Sequence, residues 1–183
     1  MEPEVPNSYD ELPYGDNCFA YTHPDHMATV ARLHGLSPTP PAGCRVLELG
    51  CGMGGNLIPM ALKFPDARFV GVDLSPRQVD HGKATVETLG LRNVDLRAAS
   101  ITDVDAGWGD FDYIVCHGVY SWVPAEVRDR ILAIFAERLA PRGLAYVSYN
   151  SLPGWHARGL ARDLMAFHVR RTGTIHDAAH SAR

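Results

Sequence analysis

Residues 46–56 read VLELGCGMGGN, an apolar run that carries one carboxylate, Glu48, and then four glycines within six positions. Gly50, Gly52 and Gly55 satisfy the spacing G-x-G-x-x-G. That spacing suits a strand that turns sharply into a helix, because glycine tolerates positive φ and lets backbone approach a ligand closely. The glycines alone do not say which ligand, or whether there is one.

Working outward, the pattern alternates strands with helices. Arg45–Leu49 reads as a strand, and Asn56–Phe64 as a helix with Pro59 tolerated in its first turn. Arg68–Val72 is a short strand that ends at Asp73. Ser75-Pro76 gives an N-cap and an N1 proline for a helix that Gly90 closes. Val94–Ala98 and Phe111–Cys116 are further strands, separated by an acidic loop over 101–110. Residues 124–139 repeat apolar positions at helical spacing. Pro141-Arg142-Gly143 reads as a turn before a fifth strand, Leu144–Tyr149, and Trp155–Arg171 as a last helix. Upstream, Asp25 is placed to cap a helix over 26–34 that stops at Gly35. Such alternation predicts βαβ units: a Rossmann-like, doubly wound parallel sheet of about five strands with helices on both faces. The expected divisions are an N-terminal extension over 1–43, which could serve as a lid, a ligand-binding domain over 44–171, and a frayed tail over 172–183.

The chain has 183 residues, 46% of them hydrophobic, and a net charge of −4 with His neutral. That is enough for one well-formed core. Arg and Lys are scattered without the basic stripe that a nucleic-acid binder uses, so no nucleic-acid partner is expected. No apolar run is long enough for a membrane span, and the acidic start lacks a signal-peptide pattern. Cys18, Cys44, Cys51 and Cys116 are widely spaced and form no C-x-x-C pair, which argues against a metal knuckle or redox motif. Reduced thiols, buried or half-buried, and a cytoplasmic location are the expectation.

In an open α/β sheet, ligands bind beyond the carboxyl ends of the strands. Asp73 closes the second strand, where a carboxylate accepts from two ribose hydroxyls. With the glycine loop it points to a nucleoside. Glu48 then separates the cofactors. A carboxylate there would repel a dinucleotide's pyrophosphate, which seeks amide donors at a helix N-terminus. It would attract S-adenosylmethionine, which carries an ammonium and a sulfonium and no phosphate. A NAD-dependent oxidoreductase is the less favoured alternative.

VLELGCGMGGN resembles motif I of the class I S-adenosylmethionine-dependent methyltransferases. VGVDLS (70–75) resembles the acidic-strand motif that follows, FDYIVCHGVYSWV (111–123) the fourth-strand motif, and LAPRGLAYVSYN (139–150) the turn and fifth strand. NSYDELPY, THPDHMATVARLHGL, GNLIPMA, HGVYSWVP and SYNSLPGWH are together similar to a narrower bacterial group, in which a methyltransferase domain precedes a methyltransferase regulatory domain. Some members of that group are protein-lysine methyltransferases.

The resemblance implies roles position by position. Gly50, Cys51, Gly52, Gly54 and Asn56 would lie against the methionine and ribose portions, and Glu48 would hold the methionyl ammonium. Asp73 would take the ribose, Leu74 and Ile101 the adenine, and Gln78 would add a polar contact. Where the family often has an aspartate for the adenine amino group, this chain has Ser100, an uncharged acceptor, with Asp103 near enough to compete. His117 and Tyr120 are the candidate catalytic residues, with His117 beside the cofactor as a base. The acceptor wall would come from Tyr14, Tyr21, His23, Tyr120, Trp122, Tyr149, Asn150, Trp155 and His156, an aromatic surround that suits an amine. No metal is implied. The methyl acceptor, protein lysine or small molecule, is not identified by the sequence.

The family's sheet has seven strands, and nothing after Asn150 reads as one. The expectation is therefore a sheet without the final antiparallel hairpin, with its fifth strand open to pair with a second copy. A non-catalytic binding module is the alternative that a shortened domain would suggest.

Overall fold

The computed structural model describes residues 15 and 17–172. Five strands form one sheet: β1 (Arg45–Leu49), β2 (Arg68–Asp73), β3 (Val94–Ala98), β4 (Phe111–Cys116) and β5 (Leu139–Val147). Their order is β3-β2-β1-β4-β5, and every pairing is parallel. The helices are α1 (Pro24–Leu33), α2 (Leu57–Lys63), α3 (Pro76–Thr88), α4 (Ala125–Arg138) and α5 (His156–Thr172). The chain divides into two compact units between Tyr149 and Asn150. The domain expected over 44–171 is thus split, with α5 in the second unit, and residues 17–43 belong to the first.

Side chains alternate across the sheet as the two-residue period requires. Val46, Phe69, Tyr113 and Val115 join Met27, Ala28, Leu57, Met60 and Val79 in one buried cluster. Leu47, Leu49, Val70, Val72, Ile114 and Cys116 join Ile131 and Ile134 in another. With both faces covered, β1 is buried from Val46 through Leu49, as parallel strands usually are. Glu48 sits inside that run and is 4% exposed. Burial of this kind holds the Cys44, Cys116 and Tyr113 groups protonated, each pushed up to about 12.

Two boundaries differ from the expectation. Helix α1 starts at Pro24, and its cap is His23, whose ring accepts from Asp25 N at 3.2 Å. Proline at the first helical position explains the earlier start. Pro141–Gly143 is not a turn ahead of β5 but an irregularity within it, because the register jumps from Phe111↔Leu139 to Tyr113↔Leu144. Gly143 has no room for a Cβ there, which would meet Ala140 O and Phe111 O at 3.0 Å.

Candidate cofactor cleft

Strands β1 and β4 are neighbours although β2 and β3 lie between them in sequence. Their carboxyl ends form the switch point where the connections diverge, and a cleft of about 420 Å³ opens there. Gly50, Gly52 and Gly54 turn the chain from β1 toward α2 with φ of +79°, +54° and +83°. Gly50 N and Cys51 N donate to Val72 O at 2.8 and 3.0 Å. A Cβ on Gly50 would drive into Val119, which lines the opposite wall. The carboxylate of Asp73 braces this loop, with Oδ2 accepting from Gly52 N at 2.8 Å and Oδ1 from Ser75 N at 3.0 Å.

Glu48, Gly50, Cys51, Gly52, Asn56, Asp73, Leu74, Gln78, Ser100, Ile101, His117 and Trp122 all line this one cleft. Gly54 does not; it turns the loop with Leu96 and Ile58 packed behind it. Asn56 has a second occupation, since its amide joins Glu48 to the N-terminal segment. Ser100 caps a single 3-10 turn (Ile101–Asp103), accepting from Thr102 N at 3.2 Å. Asp103 is the return half of that capping box: its carboxylate accepts from Ser100 N at 3.0 Å, and it is not among the lining residues. It therefore does not compete with Ser100 for a ligand in this geometry.

The residues fit S-adenosylmethionine. A carboxylate is buried between Leu47 and Leu49 near the carboxyl end of β1 and lines the cleft, and its Oε1 is held by a neutral amide, Asn56 Nδ2, at 2.8 Å. Such a group favours a cationic ligand. Asp73 sits at the tip of the next strand, and Leu74 and Ile101 offer apolar surface on the same cleft.

The acceptor side is built differently from the expectation. Residues 17–22 run along the cleft mouth and end in a 3-10 turn (Ala20–Thr22). Asn17 and Phe19 line the cleft, and the Phe19 ring lies on His117 with centroids 3.9 Å apart. Tyr21 Oη is 3.3 Å from His117 Nε2, and its ring is 5.7 Å from that of Tyr146. His117 Nδ1 is buried with no hydrogen-bond partner among the described residues. Burial lowers the pKa of His117 below 6.5, so the ring is neutral at pH 7.

Several predicted acceptor-side residues are elsewhere. Tyr120 does not line the cleft; it packs partly buried against the Leu47–Ile131 core and meets Tyr149 edge-on at 6.5 Å. It is thus not placed as a catalytic residue. Tyr149 is likewise absent from the cleft wall and 65% exposed. His23 is a helix cap packed on Phe64, 5.4 Å between centroids. Asn150, Trp155 and His156 belong to the second unit, where Trp155 N donates to Ser151 O and His156 opens α5. Tyr14 lies outside the described residues. Sequence reasoning missed Phe19, Met53, Val119 and Val123 on the wall, since apolar residues in loops carry no signal of their own.

A sheet of this order with a glycine turn, a buried carboxylate on its first strand and an acid at the tip of its second defines the S-adenosylmethionine-dependent methyltransferase class. Residues 46–143 match the methyltransferase domain family, and the chain belongs to it. It is similar to PKMT2 from Rickettsia typhi, solved in complex with AdoHcy: 46% identity, TM-score 0.86, over 93% of this chain and 33% of that one. Two uncharacterized proteins of Rickettsia prowazekii are also similar. RP028 is 44% identical over 96% of this chain and 70% of its own, and RP789 is 46% identical over 97% of this chain and 32% of its own. This chain therefore spans about a third of the length of PKMT2 and RP789.

Proposed function

We propose that this chain transfers a methyl group from S-adenosylmethionine to an amine of the protein-lysine type. The observation that carries the reading is Glu48, a buried carboxylate on a cleft also lined by the Phe19 and His117 rings, with Tyr21 packed behind His117. When bound, S-adenosylmethionine supplies a methyl group already activated on a sulfonium. The chain's own task is to bind, orient and dehydrate. Glu48 holds the ammonium, Asp73 the ribose hydroxyls, and Leu74 and Ile101 the adenine. The aromatic wall favours a lysine side chain through cation–π attraction.

A lysine ammonium must lose a proton before its nitrogen can attack. His117 lines the cleft and its Nε2 contacts the hydroxyl of the exposed Tyr21 at 3.3 Å, so a proton leaving the amine would have a route along that contact toward solvent. The ammonium N–H bond would break with the electron pair kept on the amine nitrogen, and the proton would pass by the Tyr21–His117 contact to water.

Three points support the remaining reading. The scattered charge favours a protein acceptor over nucleic acid. The described residues contain no helix long and apolar enough to cross a membrane, and Cys44 and Cys116 are buried thiols, which suits a reducing compartment, whereas Cys18 is exposed. Similarity to PKMT2 covers nearly the whole chain.

The test has two steps. Calorimetry should show S-adenosylhomocysteine binding and NAD giving no heat. Incubation with methyl-labelled S-adenosylmethionine and poly-L-lysine should then yield Nε-methyl-lysine on hydrolysis. Binding without transfer would favour a non-catalytic module, consistent with a chain spanning a third of PKMT2. Heat from NAD alone would overturn the reading.

A further inference from the structure

The side chain of Asn56 makes contacts that cofactor binding alone does not require. Its Nδ2 donates to Glu48 Oε1 at 2.8 Å and to Thr22 Oγ1 at 3.0 Å. Its Oδ1 accepts from Phe19 N at 3.0 Å. Thr22 Oγ1 in turn donates to Phe19 O at 2.8 Å, and Cys18 Sγ is 3.1 Å from Gly55 O. Glu48, Asn56 and Thr22 are all buried. The amide thus joins the carboxylate on β1 to the segment that puts Phe19 and Tyr21 on His117.

Chemistry sets the orientation of this amide. Turned over, its oxygen would face the oxygen of Glu48, and its NH₂ would face the Phe19 N–H. A carboxylate on one side and a backbone donor on the other require a group that donates one way and accepts the other. Aspartate could only accept. Valine at position 22 would keep the shape of threonine and remove its hydroxyl. In a buried site, such bonded polar chains are strong when complete and costly when broken.

We propose that Asn56 is a positioning residue, and that through it the amino group of the cofactor organises the acceptor-side wall formed by Phe19 and Tyr21. The inference rests on the reading of the cleft as an S-adenosylmethionine site. An ammonium seated on Glu48 fixes the carboxylate in charge and rotation. The carboxylate then holds the amide, and the amide holds Phe19 N and the Thr22 hydroxyl. Linkage is reciprocal, so an organised segment also strengthens the hold on the ammonium by the same factor. The acceptor wall is therefore completed by a cofactor that carries the amino acid portion, and not by the adenosine portion alone.

The experiment uses hydrogen exchange at residues 17–23 with two probes. S-adenosylhomocysteine carries the amino group, and 5′-methylthioadenosine lacks it. At saturation the first should slow exchange at Phe19 by about 10-fold and the second by less than about 2-fold, the scale of allosteric couplings. Thr22→Val should abolish that protection while leaving 5′-methylthioadenosine affinity unchanged, and Thr22→Ser should restore it. Asn56→Asp keeps the acceptor for Phe19 but puts an anion against Glu48. Repelled from Glu48 Oε1, the new carboxylate should break the link, so the difference in Phe19 protection between the two probes should disappear. Equal protection by the two probes, or protection that survives Thr22→Val, would overturn the coupling and leave the cofactor site standing. Failure of S-adenosylhomocysteine to bind at all would overturn both.

Discussion

The two sides of the cleft are made of different material. The cofactor side is backbone and carboxylate: the turn at Gly50–Gly54, Asp73 braced on Gly52 N and Ser75 N, and Glu48 within a buried strand. The opposite side, the proposed acceptor side, is a set of aromatic rings brought from three separated stretches: Phe19 and His117 line the cleft, and Tyr21 and Tyr146 pack against His117. The first is held by groups whose geometry the sheet dictates. The second is assembled by long-range contacts through Asn56 and Thr22. A fold can keep its donor chemistry constant with the first and change its acceptor with the second.

That contrast can be broken experimentally. The largest effect should come from Glu48→Gln, which keeps the shape and removes the charge. S-adenosylhomocysteine affinity by calorimetry should fall by about 2–3 kcal/mol, the scale of a hydrogen bond to a charged group, while the melting temperature changes far less. Unchanged affinity would remove the argument that separates this cleft from a dinucleotide site.

Gly82→Ala probes the backing of the cofactor side from outside the cleft. Gly82 lies in α3, and a Cβ there would meet Leu96 at 2.6 Å and the Met53 carbonyl, part of the glycine loop. Overpacking of this kind should cost about 2 kcal/mol, or roughly 4–8 °C in melting temperature. A variant that melts with the wild type would show that α3 can withdraw without disturbing the loop.

The acceptor side should show its character in acid. His117 and His23 both have pKa values lowered from 6.5, chiefly by burial. A lowered histidine binds its proton more readily when unfolded. Its contribution to stability is therefore full above pH 6.5 and is lost as pH falls through the folded value. Melting temperature should drop from pH 7.5 toward pH 5, and His117→Phe should flatten part of that drop. An identical slope in the variant would show that the ring is not buried in solution.

The smallest effects should come from positions outside the cleft. Asp103→Ala breaks the capping box around Ser100 and should cost about 1 kcal/mol in a denaturant titration, with S-adenosylhomocysteine affinity nearly unchanged. Tyr149→Ala should change stability by less than about 0.5 kcal/mol, as exposed substitutions usually do. A loss of methyl transfer to poly-L-lysine in Tyr149→Ala would return that residue to the acceptor wall.

The same contrast explains what was legible in the sequence. The strands, the glycine turn and Asp73 could be read because period, turn chemistry and strand ends are local. Glu48 could be read because a carboxylate within an apolar strand needs a reason. The acceptor wall could not be read this way. Tyr120 and Tyr149 are near the right strand ends, yet their side chains pair with each other instead of entering the cleft. Phe19 enters it from 98 residues upstream of His117, 117 − 19, held by a bond to Asn56 that no local pattern encodes. His23 was misread because its ring does the work of a helix cap, a task more often given to Ser, Thr or Asp.

The irregularity in β5 has a consequence for how copies of this chain could meet. β5 is the outermost strand of the sheet on the β4 side among the described residues. Its first half carries Pro141, which has no N–H to offer, and the register jump that displaces the ladder around it. The unbroken ladder on β4 runs only from Leu144 to Val147, about 13 Å of backbone. A regular stretch that short leaves little flat edge for another strand to follow.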